Sequence, residues 1–157
     1  MQGEIMEKIA SFQVDHDILK PGIYLSRIDR ETLFTYDLRF KTPNKGDYLD
    51  GAATHTIEHI AATYMRNCPL SDRVVYFGPM GCMTGFYLIL DSVSFEDAIA
   101  EIQRCFEFVR DFDGVIPGSE SSKECGNYKF HDLALAKSEA ASYCKVIAGW
   151  TPESLKY

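Results

Sequence analysis

Residues 22–41, GIYLSRIDRETLFTYDLRFK, read as two strands and the turn that joins them. Ile23 and Leu25 belong to the first arm. Phe34, Tyr36, Leu38 and Phe40 belong to the second, and the IDRET stretch at 28–32 turns the chain. In the second arm the four large apolar residues alternate with Thr35, Asp37, Arg39 and Lys41. Successive strand side chains point to opposite faces, so Asp37 and Arg39 fall on the face away from the aromatics. Pro43-Asn44-Lys45-Gly46 then breaks the strand.

Outward from this hairpin the chain alternates between the two periodicities. Residues 51–67 are alanine-rich and read as a helix, with Pro69 shortly after its end. Residues 73–77 and 85–90 read as a second strand pair around a Gly-Pro-Met-Gly-Cys turn. Ser94 with Asp97 three residues on forms a near capping box. The helix it opens carries Ala98, Ile99, Ile102, Phe106 and Val109 at helical spacing. Residues 114–125 are loop-like. A last helix spans about 132–148, and Gly149 ends it. Strand pair, helix, strand pair, helix, helix implies an α+β domain: an antiparallel sheet of four or more strands with helices mainly on one face, one domain over residues 1–157.

The 157 residues carry a net charge of −7, which argues against nucleic acid or an anionic membrane as partner, since both favour basic patches. The opening MQGEIMEKIA shows no basic start followed by an apolar run, so no secretory leader is expected. The longest apolar stretch, 85–90, is far short of the roughly 20 residues of a membrane span. A cytoplasmic protein is expected. Its five cysteines, Cys68, Cys82, Cys105, Cys125 and Cys144, are then buried, metal-binding or catalytic rather than a disulfide framework.

Chemistry concentrates in His55-Thr56-Ile57-Glu58-His59, an H-x-x-E-H pattern. On a helix, positions four apart differ in direction by about 40°. His55 and His59 therefore project together from successive turns and can reach one divalent ion. Glu58 lies beside them as a candidate proton acceptor. The site needs a third ligand, for which Cys82, Cys125, His131, His16 and the acidic residues are candidates. Cys82 sits in a tight glycine-flanked turn and Cys125 at the end of a polar loop. Spacing does not decide which of the two binds metal and which performs chemistry. Cys68, Cys105 and Cys144 lie on or beside helices among apolar neighbours and read as packing residues.

Five fragments, in order, resemble the S-ribosylhomocysteine lyases that make the autoinducer-2 precursor in bacteria. They are Ser11-Phe12 with Asp15-His16, Asp37-Leu38-Arg39-Phe40 with Pro43-Asn44, the His55–His59 motif, Pro79-Met80-Gly81-Cys82 with Thr84-Gly85, and Cys125-Gly126 with His131-Asp132-Leu133. Met83 and Thr42 depart from the family pattern, each standing where glutamine is expected. The resemblance implies that His55, His59 and Cys125 bind the metal, natively Fe(2+), one per subunit, with Zn(2+) or Co(2+) able to substitute. It implies that Cys82 and Glu58 move protons and that Ser11, His16 and Arg39 position S-ribosylhomocysteine. It further implies a homodimer with active sites at the subunit interface. The expected reaction is metal-assisted carbonyl migration and β-elimination, giving homocysteine and 4,5-dihydroxy-2,3-pentanedione. Two other readings accommodate the motif: an inverted-motif metallohydrolase, or a structural metal-binding module.

Overall fold

The computed structural model describes residues 6–157; residues 1–5, the first half of the opening stretch, lie outside the described residues. The hairpin forms as β1 (Gly22–Asp29) and β2 (Leu33–Arg39), pairing Ile23 with Leu38 and Leu25 with Tyr36. Arg30 and Glu31 turn the chain with left-handed φ angles of 49° and 68°, a turn whose twist matches that of the strands it joins. β2 stops at Arg39 because the next two N–H groups, of Phe40 and Lys41, both donate to the Thr84 carbonyl, at 2.8 and 3.0 Å.

The second pair is β3 (Val74–Pro79) and β4 (Gly85–Asp91), and the sheet order is β1-β2-β4-β3, all antiparallel. Arg73, expected to begin a strand, closes a 3-10 turn instead. Gly85 faces Arg39 in the register, and a Cβ on it would fall 2.2 Å from the Leu38 carbonyl oxygen. Only glycine allows that approach.

Among the described residues, four α-helices complete the fold. α1 (Ala10–Gln13) is a single turn, too short to leave a periodic signal in the sequence. α2 (Gly51–Met65) ends two residues before the expected limit; the Asp50 side chain caps its start, accepting from the Ala52 and Ala53 N–H groups. α3 (Phe95–Arg110) is capped by Ser94, whose hydroxyl accepts from the Asp97 N–H at 3.1 Å. α4 (Leu133–Ile147) is capped by Asp132 and closed by Gly149 at φ 72°.

The core lies between one sheet face and the long helices. Tyr36, Leu38, Phe86 and Leu88 are fully buried there with Ile57, Ile60, Ile102, Phe106 and Tyr143. Phe40 stacks on Tyr143 with ring centroids 3.9 Å apart. This is the α+β arrangement that the element order implies. The opposite face carries Thr35, Asp37, Arg39 and Tyr87, as the alternation requires. It is not a solvated face, however. Asp37 is 1% and Arg39 3% exposed, because the segment around Ser11 and His16 and the Tyr157 side chain lie over them. The ion pair that Arg39 makes with Asp37 is therefore buried, not a surface pair. Among the described residues no helix is long and apolar enough to cross a membrane.

Candidate active site

The local spacing on α2 does what helical geometry demands. Thr56, Ile57 and Ile60 point into the core, while His55, Glu58 and His59 occupy the half-buried flank. Two backbone carbonyls fix the imidazoles. His55 Nδ1 lies 2.6 Å from the Phe130 oxygen, and His59 Nδ1 lies 2.6 Å from the Pro117 oxygen. A carbonyl accepts only, so each Nδ1 carries the proton and each Nε2 keeps a free lone pair. Both lone pairs meet Cys125, whose Sγ is 3.5 Å from His55 Nε2 and 3.8 Å from His59 Nε2. Metal–nitrogen and metal–sulfur arms of about 2.0 and 2.3 Å at a tetrahedral angle span roughly 3.5 Å between donor atoms. The three donors, all within 4.8 Å of one another, therefore fit a divalent ion with one position left open.

His131 stands beside this cluster. Its ring stacks on His55 at 4.3 Å and meets His59 edge-on at 5.0 Å. Thr56 Oγ1 donates to the Ala52 carbonyl and accepts from the Asp132 N–H. Toward His131 Nδ1, 3.0 Å away, it is therefore an acceptor as well. Burial, then the neighbouring His55 and His59, push His131 below the usual histidine range, which favours the neutral ring.

A second feature lies on the opposite face of the sheet. A cavity of about 460 Å³ is lined by Ser11, His16, Arg39, Cys82, Thr84 and Tyr87 among others. Arg39 Nη1 donates to Thr84 Oγ1 at 2.8 Å and lies 4.0 Å from Cys82 Sγ, which itself is 3.0 Å from Thr84 Oγ1. Burial works to lower the Arg39 guanidinium, but Asp37, joined to it at 2.6 Å, more than offsets this and raises it. The turn carrying Cys82 is strained at Met83, whose φ is 62°, and is tied down where the Met83 carbonyl accepts from the Leu49 N–H at 2.8 Å. None of His55, Glu58, His59 and Cys125 lines this cavity. Within one chain, then, the structure gathers His55, His59 and Cys125 in one place and Ser11, His16, Arg39 and Cys82 in another.

Residues 9–154 match the family described as S-Ribosylhomocysteinase (LuxS). The S-ribosylhomocysteine lyase of Desulfotalea psychrophila is 51% identical over 158 residues, covering 97% of this chain and 99% of that one. Those of Porphyromonas gingivalis and Phocaeicola vulgatus are 49% and 48% identical, each covering 97% of this chain and 99% and 98% of their own. The chain belongs to the LuxS family.

Membership makes it an enzyme of the carbon–sulfur lyase class. It also agrees with the donor set that His55 and His59 of α2 form with Cys125, since an open-sided His-His-Cys site suits catalysis and a four-ligand site would suit structure. Sequence reading missed several residues that shape the cluster and the cavity. The Pro117 and Phe130 carbonyls carry no side-chain signal. Asp37 and Thr84, both buried polar residues, belong to fragments that resemble the family, but the sequence assigns neither a role. Gly118, at φ 73°, packs against the His59 ring; the Pro-Gly pair was visible but its contact was not. Of the three cysteines assigned to packing, Cys68 and Cys105 are buried, while Cys144 is only partly so.

Proposed function

We propose that this chain cleaves S-ribosylhomocysteine to homocysteine and 4,5-dihydroxy-2,3-pentanedione, as a single domain over residues 1–157 acting in the cytoplasm. The observation that carries the reading is the His55–His59–Cys125 cluster, with its donor atoms turned inward, in a chain of the S-ribosylhomocysteinase family. These three residues would hold Fe(2+), with Zn(2+) or Co(2+) as substitutes. When bound, the ion supplies Lewis-acid stabilisation of the negative charge that develops on the sugar oxygens.

The chain's own side chains account for the proton traffic. The open-chain aldehyde has to become a ketone at the second carbon and then at the third. Each shift removes one proton from carbon and returns one to its neighbour. Cys82 and Glu58 are the pair assigned to these transfers. With the carbonyl at the third carbon, the proton on the fourth is acidic. Its removal expels the homocysteine thiolate from the fifth as the carbon–sulfur bond breaks, and the enol that remains becomes the diketone. Arg39 supports Cys82 through its cationic Nη1, 4.0 Å from the sulfur. Ser11, His16 and Arg39, which share the cavity with Cys82, are assigned to holding the substrate.

The thiol and the carboxylate belong to different faces of one chain, so the reaction requires two copies. We assign the working form to a homodimer in which the cavity of one protomer meets the metal cluster of its partner. Exposed apolar groups on the cavity side, Ile9, Phe12 and Tyr76, favour a covered face there.

The direct test is to incubate metal-loaded protein with S-ribosylhomocysteine and titrate free thiol. Steady thiol release supports the lyase. Peptide cleavage without thiol release would support the metallohydrolase, and silence in both assays a structural metal module.

A further inference from the structure

A buried polar chain runs from a second cavity to the reactive thiol. Tyr157 OH donates to Asp37 Oδ2 at 2.7 Å. The same oxygen accepts from Arg39 Nη2 at 2.6 Å. Arg39 Nη1 donates to Thr84 Oγ1 at 2.8 Å and stands 4.0 Å from Cys82 Sγ. Asp37, Arg39 and Thr84 are 1%, 3% and 3% exposed, so the middle of the chain is shielded from solvent. Tyr157 itself is at the surface. Its ring stacks on Tyr24 at 5.0 Å and 17°, and the two line a separate cavity of about 480 Å³ beside Val14, Ile18 and Lys156.

We infer that Tyr157 is a positioning residue for Cys82, acting through Asp37 and Arg39. This rests on the proposed role of Cys82. The physical ground is the geometry of Asp37. Its Oδ1 has no partner among the described residues, so both directional constraints fall on Oδ2, one from Arg39 and one from Tyr157. Two donors on one oxygen fix where that oxygen sits, and the oxygen anchors Nη2, one of the two points that hold the guanidinium, the other being Nη1 on Thr84. Remove the phenol and the carboxylate is held only by Arg39, so the fork that faces Cys82 loses its external reference. Burial, and next the Asp37 charge, push the Tyr157 phenol up, so it remains a donor throughout the neutral range. Thr84 completes the fixation from the far side, being 3.0 Å from the sulfur.

The test is the reactivity of Cys82 itself, read without substrate. Wild type, Tyr157→Phe and Tyr24→Phe are exposed to iodoacetamide at neutral pH, and modification of the Cys82 peptide is followed by mass spectrometry. Tyr157→Phe keeps the stacked ring and removes only the hydroxyl. It is expected to change the Cys82 alkylation rate at least threefold, with melting temperature and metal content unchanged. In turnover of S-ribosylhomocysteine it is expected to lower kcat by a similar factor and leave KM within twofold. Tyr24→Phe removes a hydroxyl that donates to the Lys20 carbonyl, outside the chain of contacts, and is expected to behave as wild type. An alkylation rate less than threefold different from wild type for Tyr157→Phe overturns the inference, as does an equal change in both variants, which would reduce Tyr157 to packing. Failure of the lyase reading shows differently: no thiol release from the wild type, whatever the alkylation rates.

Discussion

Gly118 packs so closely against His59 that a Cβ on it would lie 3.0 Å from the imidazole Nδ1. That nitrogen is also the one held by the neighbouring Pro117 carbonyl. One Pro-Gly pair thus both orients the ring and leaves room for it.

Gly118→Ala tests this contact. Glycine holds φ at 73° there, and a left-handed residue with a Cβ costs about 1–2 kcal/mol. The added methyl must also push His59 or its carbonyl partner aside. Supporting contacts of this kind are worth about 10–100-fold in metal affinity. The variant is expected to melt lower and to bind Zn(2+) about tenfold more weakly in competition with a chelator. Unchanged affinity would show that the carbonyl contact does not tune the centre.

The two cysteines that spacing left equivalent are separated by substitution. Cys125→Ala removes the sulfur that meets both Nε2 atoms and is expected to abolish stoichiometric metal binding. Cys82→Ala is expected to retain the metal and lose turnover. Metal content by elemental analysis, beside the thiol-release assay, checks both. Exchanged outcomes would reverse the assignment of ligand and proton carrier.

How much of this was legible follows from the range of each interaction. His55, Glu58 and His59 are linked by helical spacing, a local rule, and the sequence alone puts them on one flank. The sheet was legible for the same reason, because alternation in residues 34–41 and the turn residues around it are local. Cys125 is brought to α2 by a loop whose path is set by backbone carbonyls at Pro117 and Phe130, and backbone groups are the same in every sequence. The burial of Arg39 escaped notice because alternation says which face a residue occupies, not what covers that face. Here the cover comes from residues more than 20 positions before it and more than 100 after it.

The pair Glu101 and Tyr64 predicts a pH dependence of stability. Glu101 is 1% exposed, accepts from Tyr64 OH at 2.5 Å and pairs with Arg104 at 2.8 Å, joining α2 to α3. Burial raises its carboxyl, but the bonds from Arg104 and Tyr64 outweigh this and lower it. A lowered folded value means the stabilisation is present above the unfolded value of about 4.3 and is lost as pH falls through the folded one. Glu101→Gln is expected to cost about 1–3 kcal/mol at pH 7, typical of a bond to a charged group. The difference from wild type should shrink below pH 4 in urea melts. A constant difference across that range would remove the ionised carboxylate as its cause.

Shared sites make a sharper prediction, because two dead variants should rescue each other. Glu58→Gln alone is expected to keep its metal and lose turnover, and Cys82→Ala likewise. In a mixed dimer with the cavity of one protomer against the cluster of the other, one site receives both lesions and the second receives neither. Random pairing of equal amounts makes half the dimers mixed, each with one intact site of two, so about a quarter of wild-type activity returns. A site completed within one chain, with Cys82 and Glu58 acting together in the same protomer, yields no recovery at any mixing ratio. Thiol release measured after co-expression, with each variant alone as baseline, distinguishes the two arrangements by the presence of activity rather than by its loss.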